Sequence, residues 1–314
     1  MSNITDQKRL ISHIISPETL EITIKKITER IKKQGDKPHV TVFRQLELLE
    51  QLNQFDFGRY LLQHQGINGY WTHYMLTHPW FGRKTGKNNR NESLTEVENF
   101  LLNCAPTMLA TQQRFEIFLK ENQKQIKNNA TLACIPCGMM GELIYLDYKN
   151  IDSIHLIGID YDSTTLDDAE KLAEQQEILR FTKLIQKDAW HLEFQDKFDL
   201  ISSNGLNVYE TDDEKVTELY RQFYNALKPN GKLVTSFLTY PPTLTAQCEW
   251  DMSKINQNYL LFQKIVFADV LEAKWQCYRS SEQTNSQLSS VGFRNIQFIY
   301  DDAKLFPTVI AYKN

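Results

Sequence analysis

The chain has 314 residues, of which 41% are hydrophobic and 24% are charged, and its formal net charge is −4. These values are typical of a soluble globular protein with one large domain or two smaller ones. They exclude a general electrostatic attraction to nucleic acid. They also exclude a bilayer-spanning segment, because the longest apolar stretch, 131–146, is short and is interrupted by Pro136, Gly138, Gly141 and Glu142.

The first residues and the cysteines indicate the compartment. The start, MSNITDQKRL, lacks the apolar core of a signal peptide. The five cysteines are odd in number and have no scaffold-like spacing, which favours reduced thiols and a cytoplasmic location. Cys134 and Cys137 form a single CxxC without a second pair or a nearby histidine, so no metal site is predicted.

Residues 1–128 are predicted to be helical, and no strand pattern occurs among them. The segment 66–82 within this region is dense in aromatic residues. Capping residues, prolines and glycines predict helices from Ser16-Pro17 to Gly35, over Val42–Leu52, over Phe57–Gln65, from the capping box Ser93–Glu96 to about Asn103, and from Pro106 to about Lys127.

The pattern changes at Ala130, where apolar strands begin to alternate with amphipathic helices. Strands are predicted at 131–136, 154–160, 182–187, 198–203 and 232–238, and helices at 140–148, 164–178 and 212–228. Thr211 and Glu214 form a capping box for the last of these helices. Such alternation predicts a parallel sheet covered by helices on both faces.

The C-terminal part departs from this alternation. After the turn Pro229-Asn230-Gly231 and the fifth strand, residues 241–275 are predicted to be an insertion with a helix near 255–272. The chain then ends with two strand-like runs, GFRNIQFIYDD and LFPTVIAYK. The polar link between them is too short to connect parallel neighbours, so an antiparallel pair is expected.

The segment Thr131–Asp160 follows the order strand, glycine loop, helix, strand and acid, which is the arrangement that holds an adenosine in α/β folds. The loop, PCGMMG, allows close approach of backbone to a ligand, and Asp160 can accept hydrogen bonds from both ribose hydroxyls. Three features favour S-adenosylmethionine over a dinucleotide. The loop is not GxGxxG, Asp188 follows the third strand where it can accept from the adenine amino group, and the sheet ends in an antiparallel hairpin.

Residues from about 130 to 314 resemble the class I S-adenosylmethionine-dependent methyltransferases. The resemblance rests on TLACIPCGMMG, LIGIDYD, QKDAW, FDLISSNGLNVYE, NALKPNGKLVTSF and the GFRNIQFIY…PTVIAYK ending. It implies a Rossmann-like, mostly parallel seven-stranded sheet whose last strand is antiparallel. It further implies an N-terminal helical lid domain (1–128) and a cofactor-binding domain (129–314) that carries the insertion.

The resemblance also implies site residues. Carried over residue by residue, the family pattern assigns the methionine half of the cofactor to Pro136, Cys137, Gly138 and Gly141. It assigns the ribose to Asp160, and the adenine to Tyr161, Asp162, Asp188 and Ala189. It places Ser203 and Asn204 under the transferable methyl. Asp162 is interpreted equally well as the cap of the helix that begins near Thr164.

Methyl transfer from a sulfonium requires alignment of the nucleophile at about 3–3.5 Å, and a base only when the acceptor is protonated. No catalytic triad is therefore expected. Candidates near the methyl are Asn207 and Tyr209 after the fourth strand, and His73 from the helical region. Candidates for substrate contact are Tyr70, Trp71, Tyr240 and Trp250. Arg114 is interpreted either as a partner of the cofactor carboxylate or as an exposed helical residue.

These observations predict an S-adenosylmethionine-dependent methyltransferase that acts on a small molecule, with neither membrane nor nucleic acid as partner. One alternative is a catalytically degenerate relative used for binding or regulation, because the family has an acid at the position of Cys134 and glycines at those of Pro136 and Met140. A second alternative is an NAD-linked oxidoreductase, which would need a pyrophosphate-sized gap at Gly138–Gly141.

Overall fold

The computed structural model describes residues 18–273 and 277–314. Within residues 18–130 it contains helices and no strand beyond isolated bridges. The helices of this region are α1 (Leu20–Gln34), α2 (Val42–Leu52), α3 (Asp56–His64), α4 (Gly69–Thr77), α5 (Gly82–Thr85), α6 (Glu96–Asn103) and α7 (Pro106–Gln123). The predicted start at Ser16-Pro17 lies outside the described residues.

Two predicted helix starts are wrong by one or two residues. The cap of α6 is Thr95, whose hydroxyl accepts a hydrogen bond from the Glu98 backbone N–H at 3.2 Å, so Ser93 lies outside the helix. Asp212 likewise replaces Thr211 as the cap of the helix that follows. In both cases a second residue with a capping side chain lies closer to the first helical turn, and it satisfies the exposed N–H groups there.

The second region contains a seven-stranded sheet. Its strands are β1 (Thr131–Cys134), β2 (His155–Asp160), β3 (Thr182–Gln186), β4 (Phe198–Ser203), β5 (Leu227–Ser236), β6 (Arg294–Ile299) and β7 (Thr308–Tyr312). Its helices are α8 (Gly141–Ile144), α9 (Ser163–Gln175), α10 (Asp213–Ala226), α11 (Gln257–Lys264), which continues as a π-helical segment (Ile265–Val270), and α12 (Ser281–Ser290).

The strand order is β3-β2-β1-β4-β5-β7-β6, in which β1 to β5 are parallel and β7 is antiparallel to both of its neighbours. The predicted Rossmann-like sheet with an antiparallel last strand is therefore confirmed. Because β1 lies at the centre and the chain winds outward from it in both directions, the carboxyl ends of β1 and β4 flank the crevice in which such sheets bind ligands.

Element lengths differ from the prediction in three places. β1 ends at Cys134 instead of 136, and α8 is a single turn. β5 begins at Leu227, before the predicted turn, and its pairing with β4 is irregular between Phe198 and Leu200. Asn230 has a φ of +61° inside this strand, which is the left-handed conformation that the Pro-Asn-Gly sequence favours. The turn residues are thus retained as an irregularity of the strand.

Alternate side chains of the strands enter two separate cores. Ala133 and Ile135 face α10 and α12, whereas Leu132 and Cys134 face α7, α8 and α9. A third core lies among the N-terminal helices. Helix α7 joins the helical region to the sheet, because its Phe115 is part of the helical core and its Phe118 is part of the sheet core.

Candidate active site

A cavity lies at the carboxyl ends of β1, β2 and β4, beneath α4 and α7. The loop after β1 and the segment after β4 form its floor, and α4 and α7 form its roof. Its far wall is formed by Phe267 of the π-helical segment and by Phe306, which precedes β7. The lining residues are Ile67, Asn68, Gly69, Thr72, His73, Met75, Leu76, Thr107, Met108, Thr111, Arg114, Phe115, Pro136, Cys137, Gly138, Met139, Gly141, Glu142, Asp160, Thr165, Asn204, Gly205, Leu206, Val208, Tyr209, Phe267 and Phe306.

The loop after β1 is held by its own backbone and filled from below. The Cys137 N–H donates to the Ile159 carbonyl at 2.8 Å. Gly138 and Met140 have φ values of +48° and +57°. The Met140 side chain is buried under the loop at Gly158, where a Cβ would lie 2.5 Å from its sulfur. The upper surface of the loop therefore faces the cavity without obstruction by Met140.

Asp160 ends β2 and is only 5% exposed. Its Oδ2 accepts a hydrogen bond from the Gly138 N–H at 3.0 Å, and its Oδ1 accepts one from the Asp162 N–H at 3.1 Å. An ionised carboxylate oxygen can accept more than one hydrogen bond. The carboxylate is thus oriented by backbone and presented to the cavity as an acceptor of the kind that a ribose diol requires.

Glu142, on the first turn of α8, brings a second carboxylate into the cavity. Its Oε1 accepts from Asn204 Nδ2 at 2.7 Å, and its Oε2 accepts from the Cys134 thiol at 3.5 Å. Burial, and then the charge of Glu142, raise the pKa of Cys134 well above its usual range, so this thiol stays protonated. Asn204 Oδ1 is buried and has no hydrogen-bond partner among the described residues. These oxygens could accept from the ammonium group of an amino acid.

The roof touches the loop directly. Asn68 caps α4 by accepting from the Trp71 N–H at 3.0 Å. A Cβ on Gly69 would lie 2.7 Å from Thr165 Cγ2 and 3.1 Å from Gly138 Cα, so only glycine permits this approach. Farther along α4, His73 forms a hydrogen bond with the Tyr145 hydroxyl at 2.7 Å. Burial lowers the pKa of His73 to about 4, and its imidazole is neutral near pH 7.

The opposite end of the cavity is mostly apolar, and its polar lining residues are Thr107, Thr111, Arg114 and Tyr209. Arg114 is only 5% exposed, and its guanidinium lies over the Phe306 ring at 4.5 Å. Burial lowers its pKa to about 10, which leaves it charged near neutral pH. Burial raises the pKa of Tyr209, so its hydroxyl stays protonated. Of the two interpretations of Arg114, the exposed helical residue is therefore excluded.

The structure brings eight of the eighteen predicted site residues to the cavity: Pro136, Cys137, Gly138, Gly141, Asp160, Asn204, Tyr209 and His73. Four other predicted cofactor residues are not among the lining residues. Tyr161 is half exposed, Ala189 is packed in the core, and Ser203 is buried in β4. The carboxylate of Asp188 accepts from the Trp190 N–H and forms a hydrogen bond with His191.

The other six are engaged elsewhere. The carboxylate of Asp162 caps α9 by accepting from Thr164 and Thr165. Asn207 donates to the Tyr220 hydroxyl at 2.8 Å. The four substrate candidates also lie away from the lining: Trp71 stacks on Phe57, Tyr70 packs edge-on against Trp71, Tyr240 packs near Tyr278, and Trp250 donates to Thr239.

Comparison with known proteins agrees with this geometry. A family model described as a methyltransferase domain matches residues 135–231, which run from the loop after β1 into β5. Residues 135–231 therefore belong to a methyltransferase domain family. The methyltransferase uses S-adenosylmethionine as its cofactor.

Two relatives illustrate the range of similarity. A demethylmenaquinone methyltransferase from Lactobacillus johnsonii is 28% identical over 168 residues, which cover 51% of this chain and 66%, just under two thirds, of that protein. The crystal structure of a possible exported protein from Bordetella parapertussis is 41% identical, with a TM-score of 0.87, and the match covers 94% of this methyltransferase and 95% of that chain. Among the described residues, no helix has the length and apolar content that crossing a membrane requires.

The residues present fit this cofactor. Asp160 suits the ribose, and Glu142 with Asn204 suits the ammonium group of the methionine part. The family pattern has an acid at the position of Cys134 in the first strand. Here the Glu142 carboxylate contacts the Cys134 thiol and brings an acid to the same place. Sequence reasoning missed Glu142 and the roof residue Gly69. An acid directly after GMMG was an available signal for the first, whereas nothing near Gly69 in the sequence indicates its contact with the loop.

Proposed function

We propose that the protein transfers the methyl group of S-adenosylmethionine to a small-molecule acceptor. The observation that carries this proposal is the continuity of the cavity, which runs from Asp160 and the glycine loop to the apolar wall at Phe306 under a roof of α4 and α7. A roofed space of this kind suits a small acceptor better than a polymer, which would need an open groove.

The cofactor supplies an electrophilic methyl group, so the chain mainly has to hold, align and exclude water. Asp160, Glu142 and Asn204 would hold the cofactor, the first at its ribose and the other two at its ammonium group. Phe115, Met108 and Val208 provide apolar walls that keep water from the reacting atoms. Alignment of two reactants in such a site supplies much of the rate enhancement without covalent participation of the protein.

The described lining residues offer no strong base at neutral pH. His73 has a pKa of about 4 and is a weak proton acceptor, and the pKa of Tyr209 is raised. We infer that the acceptor brings a nucleophile that needs little or no deprotonation. Bound S-adenosylmethionine would supply the methyl group to this nucleophile, and S-adenosylhomocysteine would be the product.

The catalytically degenerate alternative predicts a loop obstructed by its methionines. The burial of Met140 under Gly158 favours the active interpretation, and Met139 lines the cavity without closing it. The match of residues 135–231 to a methyltransferase domain model disfavours the NAD-linked alternative. We further propose a cytoplasmic location, which the five free thiols support.

Two measurements test the proposal. Titration calorimetry of the full chain with S-adenosylhomocysteine should show binding of one equivalent. Incubation with methyl-labelled S-adenosylmethionine and a panel of small acceptors should then transfer label into an extractable product. Binding without transfer to any acceptor would favour the degenerate alternative, and transfer only to protein or nucleic acid would contradict a small-molecule acceptor.

A further inference from the structure

The acceptor end of the cavity contains a buried cation that the cofactor does not account for. Arg114 is the only lysine or arginine among the described lining residues. It projects from the middle of α7 and reaches Ser236, the last residue of β5, where its Nη1 donates to the hydroxyl at 3.2 Å. It also reaches Gly205, where a Cβ would lie 3.5 Å from Nη1.

The guanidinium is poorly satisfied by the protein. The bond to Ser236 is the one hydrogen bond that it makes to described residues, and its Nε is buried without a partner among them. No carboxylate in the described part of the chain forms a salt bridge with it. A buried guanidinium has five donors and a full charge, and leaving both uncompensated is costly.

The carboxylates nearest in charge are engaged with other groups. Asp301 accepts from the backbone N–H groups of Ala303, Leu305 and Phe306, which shapes the segment before β7. Glu142 accepts from Asn204 and Cys134. Both are close enough to stabilise the charge of Arg114 but make no contact with it. The charge of the guanidinium is therefore stabilised at a distance by two carboxylates, but neither of them contacts it.

The position of Arg114 separates it from Asp160, the residue that suits the ribose. Asp160 ends β2 and Ser236 ends β5, and β1 and β4 lie between these strands. Three inter-strand spacings of about 4.8 Å put the two strand ends roughly 14 Å apart. Arg114 meets the end of β5 and Phe306, and it also approaches Gly205 in the segment after β4, on the side of the cavity away from Asp160.

We propose that Arg114 anchors a carboxylate of the methyl acceptor, so that the substrate is an apolar, singly charged carboxylic acid. The planar guanidinium matches a carboxylate with two parallel hydrogen bonds. The surrounding Phe115, Phe306, Met108 and Val208 suit an aromatic or alkyl body. Asp301 and Glu142 disfavour a second negative charge, which argues against a phosphate. This inference rests on the proposed function, because it names the substrate class of the same cavity.

The first test needs no variant. The full chain is saturated with S-adenosylhomocysteine, and ligand-observed NMR then compares the dissociation constants of matched pairs: benzoate and benzamide, cinnamate and cinnamamide, hexanoate and hexanamide. We expect at least one carboxylate to bind about tenfold tighter than its amide, the effect of a hydrogen bond to a charged group. Equal binding within all three pairs would overturn the proposal, as would tighter binding of phenyl phosphate than of every carboxylate.

The second test uses Arg114→Met and Arg114→Lys. Arg114→Met should lower the affinity of the best carboxylate about tenfold, and Arg114→Lys should retain part of it because the charge remains without the planar fork. The control is Arg180→Met, since Arg180 lies at a similar 4.6 Å over the Phe181 ring but is exposed and outside the cavity. Unchanged carboxylate affinity in Arg114→Met would overturn the proposal.

The cofactor titration distinguishes the remaining outcomes. S-adenosylhomocysteine affinity should stay within about threefold in Arg114→Met, and a larger loss would assign the guanidinium to the cofactor carboxylate instead. If the unmodified protein fails to bind S-adenosylhomocysteine, the proposed function fails. The carboxylate preference is then measured without cofactor, and it stands or falls on the benzoate and benzamide pair alone.

Discussion

The two ends of the cavity are built in different ways. Apart from Asn204, the cofactor end uses residues 136–165, a nearly continuous stretch in which Asp160 is oriented by the Gly138 N–H. The acceptor end is assembled from α4, α7, the segment after β4 and Phe306 before β7. These parts are far apart in the chain. The first is a fixed binding surface of the fold, and the second is an apolar enclosure with one charged group.

This difference indicates how such a fold can keep its cofactor while its acceptor varies. Changes at the cofactor end disturb a loop whose conformation depends on several hydrogen bonds. Changes at the acceptor end alter side chains on separate helices, which a rigid sheet tolerates. If the two ends are independent, a substitution at one end should leave ligand binding at the other end unchanged.

The largest effect is expected at Asp160. Asp160→Ala removes the acceptor for the ribose hydroxyls and leaves the Gly138 N–H without its carboxylate partner. Affinity for S-adenosylhomocysteine should fall by about 2–3 kcal/mol, roughly 30- to 150-fold. Calorimetry measures this loss, with Asp168→Ala as the control, because Asp168 pairs with Lys171 on the outer side of α9. A loss no greater than that of the control would break the comparison.

A side chain added beneath the glycine loop, at Gly158 in β2, should destabilise the fold at the cofactor end. Gly158→Ala puts a Cβ 2.5 Å from the Met140 sulfur and 2.6 Å from Leu184 Cδ2. We expect unfolding free energy, measured with urea, to fall by about 2 kcal/mol. The loss caused by Gly158→Ala should be smaller when it is measured in a Met140→Gly background, since the displaced side chain is absent there. Purely additive effects of the two substitutions would contradict the contact.

The roof, by contrast with the loop, should be sensitive to acid. Burial lowers the pKa of His73 and of His78 to about 4, against 6.5 in an unfolded chain. The unfolded state therefore binds more protons between these values, and the stability contribution, complete above pH 6.5, is lost as the pH falls toward 4. We expect each histidine to account for roughly 1–2 kcal/mol of the loss between pH 7 and pH 5.

The variants His78→Gln and His73→Gln isolate this contribution from that of the carboxylates. Urea unfolding at the two pH values should show a smaller difference in each variant than in the unmodified protein. His78 is the cleaner of the two, because the imidazole of His73 also forms a hydrogen bond with the Tyr145 hydroxyl. An unchanged pH dependence in His78→Gln would show that the roof does not carry it.

The smallest effect is expected at Glu142. Glu142→Gln keeps the size of the side chain but removes the charge that suits the cofactor ammonium. Affinity for S-adenosylhomocysteine should fall by about 1 kcal/mol, roughly fivefold. Affinity for 5′-methylthioadenosine, which lacks the amino-acid part, should not change. Equal losses for both ligands would show that the substitution distorts the loop instead of removing an ammonium partner.

The parts of the molecule that the sequence predicted are those with local causes. Strand and helix alternation, Asp160 and the antiparallel C-terminal pair follow from patterns within a few residues, and the structure confirms the sheet that they imply. Cap positions were less certain because Thr95 and Asp212 compete with neighbours that have similar side chains. Both helices nevertheless begin within three residues of the predicted caps.

The acceptor end could not be predicted in the same way. Asn207 and Tyr209 are two residues apart on one 3₁₀ turn (Leu206–Tyr209), and the turn directs the first toward Tyr220 and the second into the cavity. A 3₁₀ segment of four residues changes direction too quickly for a sequence pattern to resolve. The burial of Arg114 depends on Ser236 and Phe306, residues more than a hundred positions away, and no local signal encodes it.

The contact between Gly69 and Gly138 has a consequence for turnover. Where two chain segments meet backbone to backbone, nothing as wide as a nucleoside can pass between them without first separating them. Exchange of spent for fresh cofactor by this route would require the start of α4 to lift from the loop. The rate of turnover would then depend on how readily the contact between these two glycines opens.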